Sequence, residues 1–397
     1  MVALSEVATF IRGVSFKPED VTTLDTPDAV ACFRTKNVQA TLDLNDVWAV
    51  DEKFVRRTEQ FLQNGDILIS SANSWNLVGK CCWIPELPWK ASFGGFVSVL
   101  RADPNKILPR FLFWWFSSAP IQALARSFGN KTTSISNLNF DRCLALTLPL
   151  PSLEEQRRIV LILDQAQVLQ NKRRDSICSL DVLAESVFYE MFGCLNKNPF
   201  GWESKAFGSL LTMPLRNGLS ASTDGTIEAK VLTLSAITGP EFAGHQWRYA
   251  GFKSIPPANQ SLDCRDFLIC RGNGNRNLVG SGHFPDVSAP DVTFPDTMIA
   301  ARVSRDELAP LFLDFIWKHS FVRKQIDKAV RTTNGTYKVN QTILENISII
   351  CPPLERQNEF AERILSIQEL KTSCRDHLAQ LDSLFNALQH RAFRGEL

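Results

Sequence analysis

A chain of 397 residues with 44% hydrophobic side chains has room for two or three domains with their own cores, and it is neither disordered nor fibrous. Its net charge of +1 excludes a protein that coats nucleic acid by charge alone. The most apolar stretch, FLFWWF from Phe111 to Phe116, is too short to span a bilayer, and MVALSEVATFIRG lacks the basic start and apolar core of a secretory signal. A cytoplasmic chain is expected, with its ten irregularly spaced cysteines as reduced thiols.

In chain order, residues 1–150 are punctuated by Gly, Pro and Asn. They hold short β-like runs such as GDILISS and one helical stretch, PRFLFWWFSSAPIQALARSF. Residues 151–195 differ: after PLPSLEEQ no proline interrupts a long striped run. Residues 196–350 return to the first style, with DFLICRG as a strand and PLFLDFIWKHSFVRKQIDKAV as the helical stretch. Residues 351–397 open on CPPLERQ and run striped again.

The second half repeats the first at an offset of 201. Leu153, Glu154 and Gln156 fall on Leu354, Glu355 and Gln357, and Asn76-Leu77-Val78-Gly79 falls on Asn277-Leu278-Val279-Gly280. Leu169, Leu180 and Leu183 fall on Leu370, Leu381 and Leu384, and Asn139 falls on Asn340. A one-residue slip brings Lys131-Thr132-Thr133 onto Arg331-Thr332-Thr333. The period is far too long for a solenoid, so a domain and its appended segment are duplicated.

In the second striped run Phe360, Ile364, Ile367, Lys371, Cys374, Leu378, Leu381, Phe385 and Leu388 alternate in steps of four and three, the heptad seam of a coiled coil. The matching positions in the first are Ile159, Leu163, Ala166, Gln170, Arg173, Ile177, Leu180, Ala184 and Val187. A helix of about 40 residues is about 60 Å long. Two such helices bury their seams by packing on each other, and antiparallel packing would set one globule at each end. The polar positions Gln170 and Lys371 correspond, and are expected to help fix the register. The fold class expected is therefore α+β: two tandem globules separated by two long antiparallel coiled-coil helices, with a pseudo-two-fold internal repeat.

No catalytic constellation survives inspection. Arg271-Gly272-Asn273-Gly274-Asn275-Arg276-Asn277 begins like a dinucleotide loop but lacks the third glycine. Asn198-Pro199-Phe200 is one proline short of the adenine methyltransferase tetrad, and the five histidines show no metal spacing. The Pro-Asp pairs at 285–286, 290–291 and 295–296 tempt toward a nuclease, but read better as a turn-rich loop.

The repeated Leu-Glu-x-Gln openings at Leu153 and Leu354, the N-terminal LSEVATFIRGVSF, the FGWES that opens the second half, and the final AFRGEL resemble the specificity subunits of type I restriction-modification systems. The resemblance spans essentially the whole chain. It implies target recognition domains at 1–150 and 196–350, each reading one half of a bipartite, asymmetric DNA site. It implies that the helices at 151–195 and 351–397 set the half-site spacing and dock two methyltransferase subunits. It also implies a non-catalytic chain with no cofactor of its own. S-adenosylmethionine, ATP and Mg would be used by the methyltransferase and by the restriction/translocase subunits. A bar of about 60 Å matches about 18 base pairs, enough for two readers to meet grooves about one turn apart.

Base edges are read by Arg, Lys, Asn and Gln. The best candidates are Arg271, Asn273, Asn275 and Arg276 in the second globule, with Asn73, Trp75 and Asn76 as their counterparts. Lys131, Thr132, Arg331 and Thr332 come next, because a repeated basic-Thr-Thr suits phosphate contact. A protein-binding coiled-coil adaptor is the competing reading.

Overall fold

The computed structural model describes residues 1–131, 135–333 and 335–397, without the side chains of residues 130, 131 and 333. The chain divides into two compact units, Met1–Ser176 with Cys374–Leu397, and Ile177–Ser373. Each unit mixes helices and sheets.

In the first unit, strand Val97–Ala102 lies between Ala8–Arg12 and Ile67–Ser70, antiparallel to both, and Cys81–Trp83 extends the sheet. Ile67–Ser70 is buried along its whole length because both of its faces are covered. The two-residue alternation of a strand sends Ile67 and Ile69 to a core with Leu100, Phe111 and Leu112. Leu68 faces a second core with Phe33, Val97 and Val99. A second four-stranded sheet holds Val21–Thr22, Trp48–Asp51, Ala29–Phe33 and Ala91–Phe93, the last two parallel. Helix Pro109–Phe116 starts on a proline, whose fixed φ and missing N–H suit a first turn, and buries every side chain from Phe111 to Phe116.

The second unit is built the same way. Met298–Arg302 lies between Arg216–Asn217 and Asp266–Cys270, and Gly282–His283 pairs next. Phe267 and Ile269 join Phe312 and Leu313 in one core, while Leu268 and Cys270 join Phe294 and Met298 in another. The same buried ion pair pins each sheet. Asp66 takes Arg101 Nε and Nη2 at 2.7 and 2.6 Å, and Asp266 takes the same atoms of Arg302 at 2.7 and 2.9 Å. These aspartates lie 200 apart and these arginines 201 apart, so the offset drifts where loops differ in length. A bidentate fork satisfies both oxygens of a carboxylate that burial would otherwise penalise. Beside the second pair, a hydrogen bond from Arg265, with help from Arg302, holds the Asp263 carboxyl well below its usual range. Burial pushes the thiols of Cys82 and Cys143 up to about 12, which leaves them inert.

The two long helices are Leu153–Phe192 and Leu354–Ala392. Prolines precede each, Ser152 Oγ accepts from Glu155 N at 3.3 Å at the first entrance, and acidic side chains sit in both first turns. Gly193, at φ 72°, stops the first helix in the left-handed conformation that only glycine adopts freely. Each unit contains the early part of one helix and the late part of the other. Within the first unit the two parts run antiparallel, with Gln170 near Asp382 and Arg173 near Cys374, and together they close the helical core through Ile159, Leu163, Phe385, Leu388 and Ala392. Within the second they are antiparallel again. Asp181 meets Lys371, and Phe188 meets Phe360. Ile364 and Ile367 are buried there, and Leu180, Ala184 and Val187 pack on the same core.

All nine expected seam positions of each helix are buried or half-buried, including Ile177, Leu378 and Leu381. The polar positions bond across the helix pair, each within its own unit. Gln170 Nε2 donates to Asp382 Oδ1 at 2.8 Å in one unit, and Lys371 Nζ donates to Asp181 Oδ1 in the other. The two aspartates are themselves 201 apart, so each polar seam residue answers a carboxylate on the flank of the opposing helix segment, a partner that the apolar stripe could not reveal.

Among the described residues no helix is long and apolar enough to cross a membrane.

Candidate nucleic-acid interface

In each unit a strand of the central sheet runs straight into an Asn-rich loop. Cys270 N donates to Ser281 O at 2.7 Å and Gly280 N to Cys270 O at 2.8 Å, which pinches loop 271–279 at its base. The first unit has the same closure, Ser70 N to Lys80 O at 2.8 Å and Gly79 N to Ser70 O at 2.9 Å. Both closing glycines have φ near 80°, at 83° and 78°. A side chain on Gly280 would also strike Ile326 at 2.7 Å, so this corner needs glycine on two counts.

The loop of the second unit ties its arginines back to the protein. Arg271 Nη1 donates to Asp296 O at 3.1 Å, and Arg276 Nη2 to Asp327 O at 2.7 Å. Asn273 Oδ1 accepts from Asn275 N at 2.9 Å, and Asn275 Oδ1 accepts from Asn277 N at 3.0 Å to cap the short turn Arg276–Leu278. These side-chain bonds set the backbone of the tip, leaving Gly274, Asn275 and Arg276 exposed. In the first unit Asn73 is used at both ends, Nδ2 to Ser70 Oγ at 3.0 Å and Oδ1 from Ser74 N at 2.8 Å. Asn76 is exposed, and Trp75 is 38% exposed.

Two groups of candidates that are far apart in sequence meet on one small sheet in each unit. Gly272–Asn273 and Arg331–Thr333 both pair antiparallel with Thr336–Lys338. Likewise Ala72–Asn73 and Asn130–Lys131 flank Ser136–Asn137. The Asn loop and the basic-Thr-Thr segment are therefore neighbours, not separate sites. Register also corrects the one-residue slip read from the sequence. Arg331 stands opposite Lys338 and Asn130 stands opposite Asn137, so the structural equivalent of Arg331 is Asn130, and that of Lys131 is Thr332. Because side chains alternate between faces, the slip had placed the two cations on a common face when their register positions are on opposite ones. Arg331 and Thr332 are exposed. The side chain of Lys131, and Thr132 altogether, lie outside the described residues.

Sequence inspection missed the middle strand. In the second unit it carries Lys338, exposed, and Tyr337, half-buried on the core. In the first it carries exposed Asn137 and buried Ser136. The signal was available for the second: Asn334-Gly335 is a hairpin dipeptide, and Gly335 has φ 74°. Also missed was Phe96, 66% exposed beside the first loop, where its carbonyl accepts from Ser71 N and Ala72 N at 3.0 and 3.1 Å. A Gly-Gly-Phe turn gave no periodic cue to it.

The Pro-Asp segment is partly a strand, Ala289–Thr293, and its acids act separately. Asp291 takes Lys230 at 2.7 Å and Asp296 takes Ser220 at 2.8 Å. Among the described residues no three His, Cys, Asp or Glu side chains come together as a metal would require. Gln156 and Gln357 are 1% and 0% exposed, and they buttress the entrances of the long helices. Each amide accepts from the backbone N–H that precedes a globule helix, Leu108 or Ala309, at 2.9 Å, and donates to the carbonyl of Pro151 or Pro352.

Residues 1–177 match the family model for the type I restriction modification DNA specificity domain. The chain is 26% identical to the EcoKI specificity subunit of Escherichia coli K12, over 99% of this chain and 88% of that one. It is 27% identical to the StySPI specificity subunit of Salmonella potsdam over the same shares. It is 31% identical to the MjaX specificity subunit of Methanocaldococcus jannaschii, provisionally a type I restriction enzyme subunit, over 84% and 78%. Among solved structures, the fold resembles a chain from work on complex assembly and conformational transition of the type I restriction-modification system. That match has TM-score 0.58, 17% identity, and coverage of 100% of this chain and 97% of that one. The type I S subunit from M. genitalium matches at TM-score 0.56 and 13% identity, over 99% and 95%. The relatives settle the family: the chain belongs to the type I restriction-modification specificity subunits.

Proposed function

We propose that segments 1–150 and 196–350 are target recognition domains that read the two halves of a bipartite, asymmetric DNA site. The helices at 151–195 and 351–397 then act as an antiparallel coiled coil that sets the half-site spacing and carries two methyltransferase subunits. The observation that carries this reading is the small three-stranded sheet present in both units, in the same topological place but with different exposed side chains. Equal placement supports equal roles, and different chemistry supports two different words. The exposed donors include Asn76 and Asn137 in one unit and Asn275, Arg276, Arg331 and Lys338 in the other. Amides suit adenine edges, and cations suit guanine edges or phosphates.

Docking is supported by leucines that the seam leaves out. Leu169 and Leu384 are 51% exposed each in the first unit, and their repeat equivalents Leu370 and Leu183 are 57% and 45% exposed in the second. Each unit thus carries a corresponding pair of exposed leucines, one on each helix segment, which supports two equivalent docking sites for a single kind of partner. The chain itself is non-catalytic. Methyl transfer from S-adenosylmethionine, and ATP- and Mg-dependent cleavage, fall to the methyltransferase and restriction/translocase partners. The test is to co-express the chain with its neighbouring methyltransferase and map adenine methylation. A two-part motif with a fixed gap, absent without this chain, is expected; a soluble complex that adds no methylation would sink the proposal.

A further inference from the structure

We infer that Arg331 and Lys338 form a clamp for one DNA phosphate, a grip that the first recognition domain lacks at the equivalent place. This rests on the DNA-reading assignment above and adds to it a named contact and an asymmetry between the two half-sites.

Arg331 stands directly opposite Lys338 in the antiparallel pair Arg331–Thr333 and Thr336–Lys338. Side chains at directly opposed positions have Cβ atoms about 4.5–5.5 Å apart, and like charges there destabilise the sheet. Both cations are exposed, and neither has a carboxylate partner among the described residues. Asp327, four residues before Arg331, pairs instead with Arg323 at 2.5 Å. The loop arginines do not relieve the repulsion, since Arg271 and Arg276 bond to backbone carbonyls and keep their own charge. On the other side of Lys338 the register partner is Gly272, where a Cβ would come within 3.2 Å of the lysine Cγ. The bare glycine makes room for the lysine stem across the sheet.

Two facing cations without a counter-charge are an unfavourable arrangement in the free protein, and an anion between them reverses the sign. A guanine edge needs one bidentate arginine, whereas two converging cations match the non-bridging oxygens of a phosphate. In the first unit the same register positions are Asn130 and Asn137, with Ala72 in place of Gly272. No ionic clamp can form from that pair of residue types. The second half-site is therefore the one gripped by charge at this position.

The test uses the purified complex of this chain with its methyltransferase, bound to a duplex carrying the mapped motif and titrated between about 50 and 200 mM salt. The variant combines Arg331→Asn with Lys338→Asn, the residue types of the first domain, and Lys338→Arg is the conservative control. The double variant is expected to flatten the plot of log K against log salt by about 0.9 and to weaken binding about tenfold or more, with the methylated motif unchanged. Lys338→Arg should keep the wild-type slope. An unchanged slope in the double variant, or a relaxed base preference in the second half-site, would overturn the clamp while leaving the DNA-reading assignment intact. A wild-type complex that prefers no duplex would overturn the assignment and the clamp together.

Discussion

Single residues hold the joints between helix and globule. Gln156 and Gln357 look like ordinary polar residues in the first turn of a helix, yet each is buried and bonded to backbone on both of its amide atoms. Gln357 accepts from Ala309 N and donates to Glu307 O and Pro352 O, all between 2.8 and 2.9 Å. Gln156 makes the first and last of these bonds with Leu108 and Pro151. Replacing either by alanine strands a buried N–H and its carbonyl partner, at a cost of about 1–3 kcal/mol. Chemical denaturation should show Gln357→Ala as the more damaging of the two, because it loses one more bond. Equal midpoints for wild type and both variants would show that water or a neighbouring group replaces the amide. The identity of these residues was plain in the repeated Leu-Glu-x-Gln. Their partners were not, because the N–H groups they answer belong to segments about 48 residues earlier that only folding brings near.

At the scale of elements, the long helices carry some apolar residues buried and others exposed, such as Leu163 and Leu169. Leu163 is fully buried against the helical core of the first unit, and Leu169, less than two turns away, is half exposed. Leu163→Ala is expected to cost about 2–5 kcal/mol, as deletion of a buried leucine does. Leu169→Ala should change stability by no more than about 0.5 kcal/mol, and should instead weaken assembly with the methyltransferase. Thermal unfolding and pull-down with the methyltransferase, done on both variants, separate the two roles. A Leu169→Ala chain with intact assembly would remove Leu169 from the docking proposal. Spacing in steps of four and three selected positions that are all at least half-buried, because helical period alone decides which residues share a stripe. The strands were legible only in part. Runs such as ILIS and FLIC announce themselves, but two-residue strands such as Gly272–Asn273 have too few side chains to show any period.

For the whole molecule, the duplication makes a quantitative demand. Each unit holds a corresponding pair of exposed leucines, Leu169 with Leu384 and Leu183 with Leu370, so on the docking proposal one chain should bind two methyltransferase subunits. Native mass spectrometry of the assembled complex reads this directly. A complex with a single methyltransferase, at saturating partner, would mean that the two leucine pairs are not equivalent.

Legible in the sequence alone were the 201-residue offset between its halves, the two long helices with their apolar stripes, the likeness to the family, and the residue types at the two Asn-rich loops. These are local or periodic properties, and periodicity survives in one dimension. Tertiary structure decided which residues share a face. It joined the Asn loop to the basic segment through a middle strand, moved the counterpart of Arg331 from Lys131 to Asn130, and placed Lys338 across from Arg331. Strand register is set by backbone hydrogen bonds between distant segments, and a shift of one residue turns every side chain to the other side. The same holds for Gln170 and Lys371, whose aspartate partners are fixed by how the opposing helix segments pack and not by the stripe on either helix.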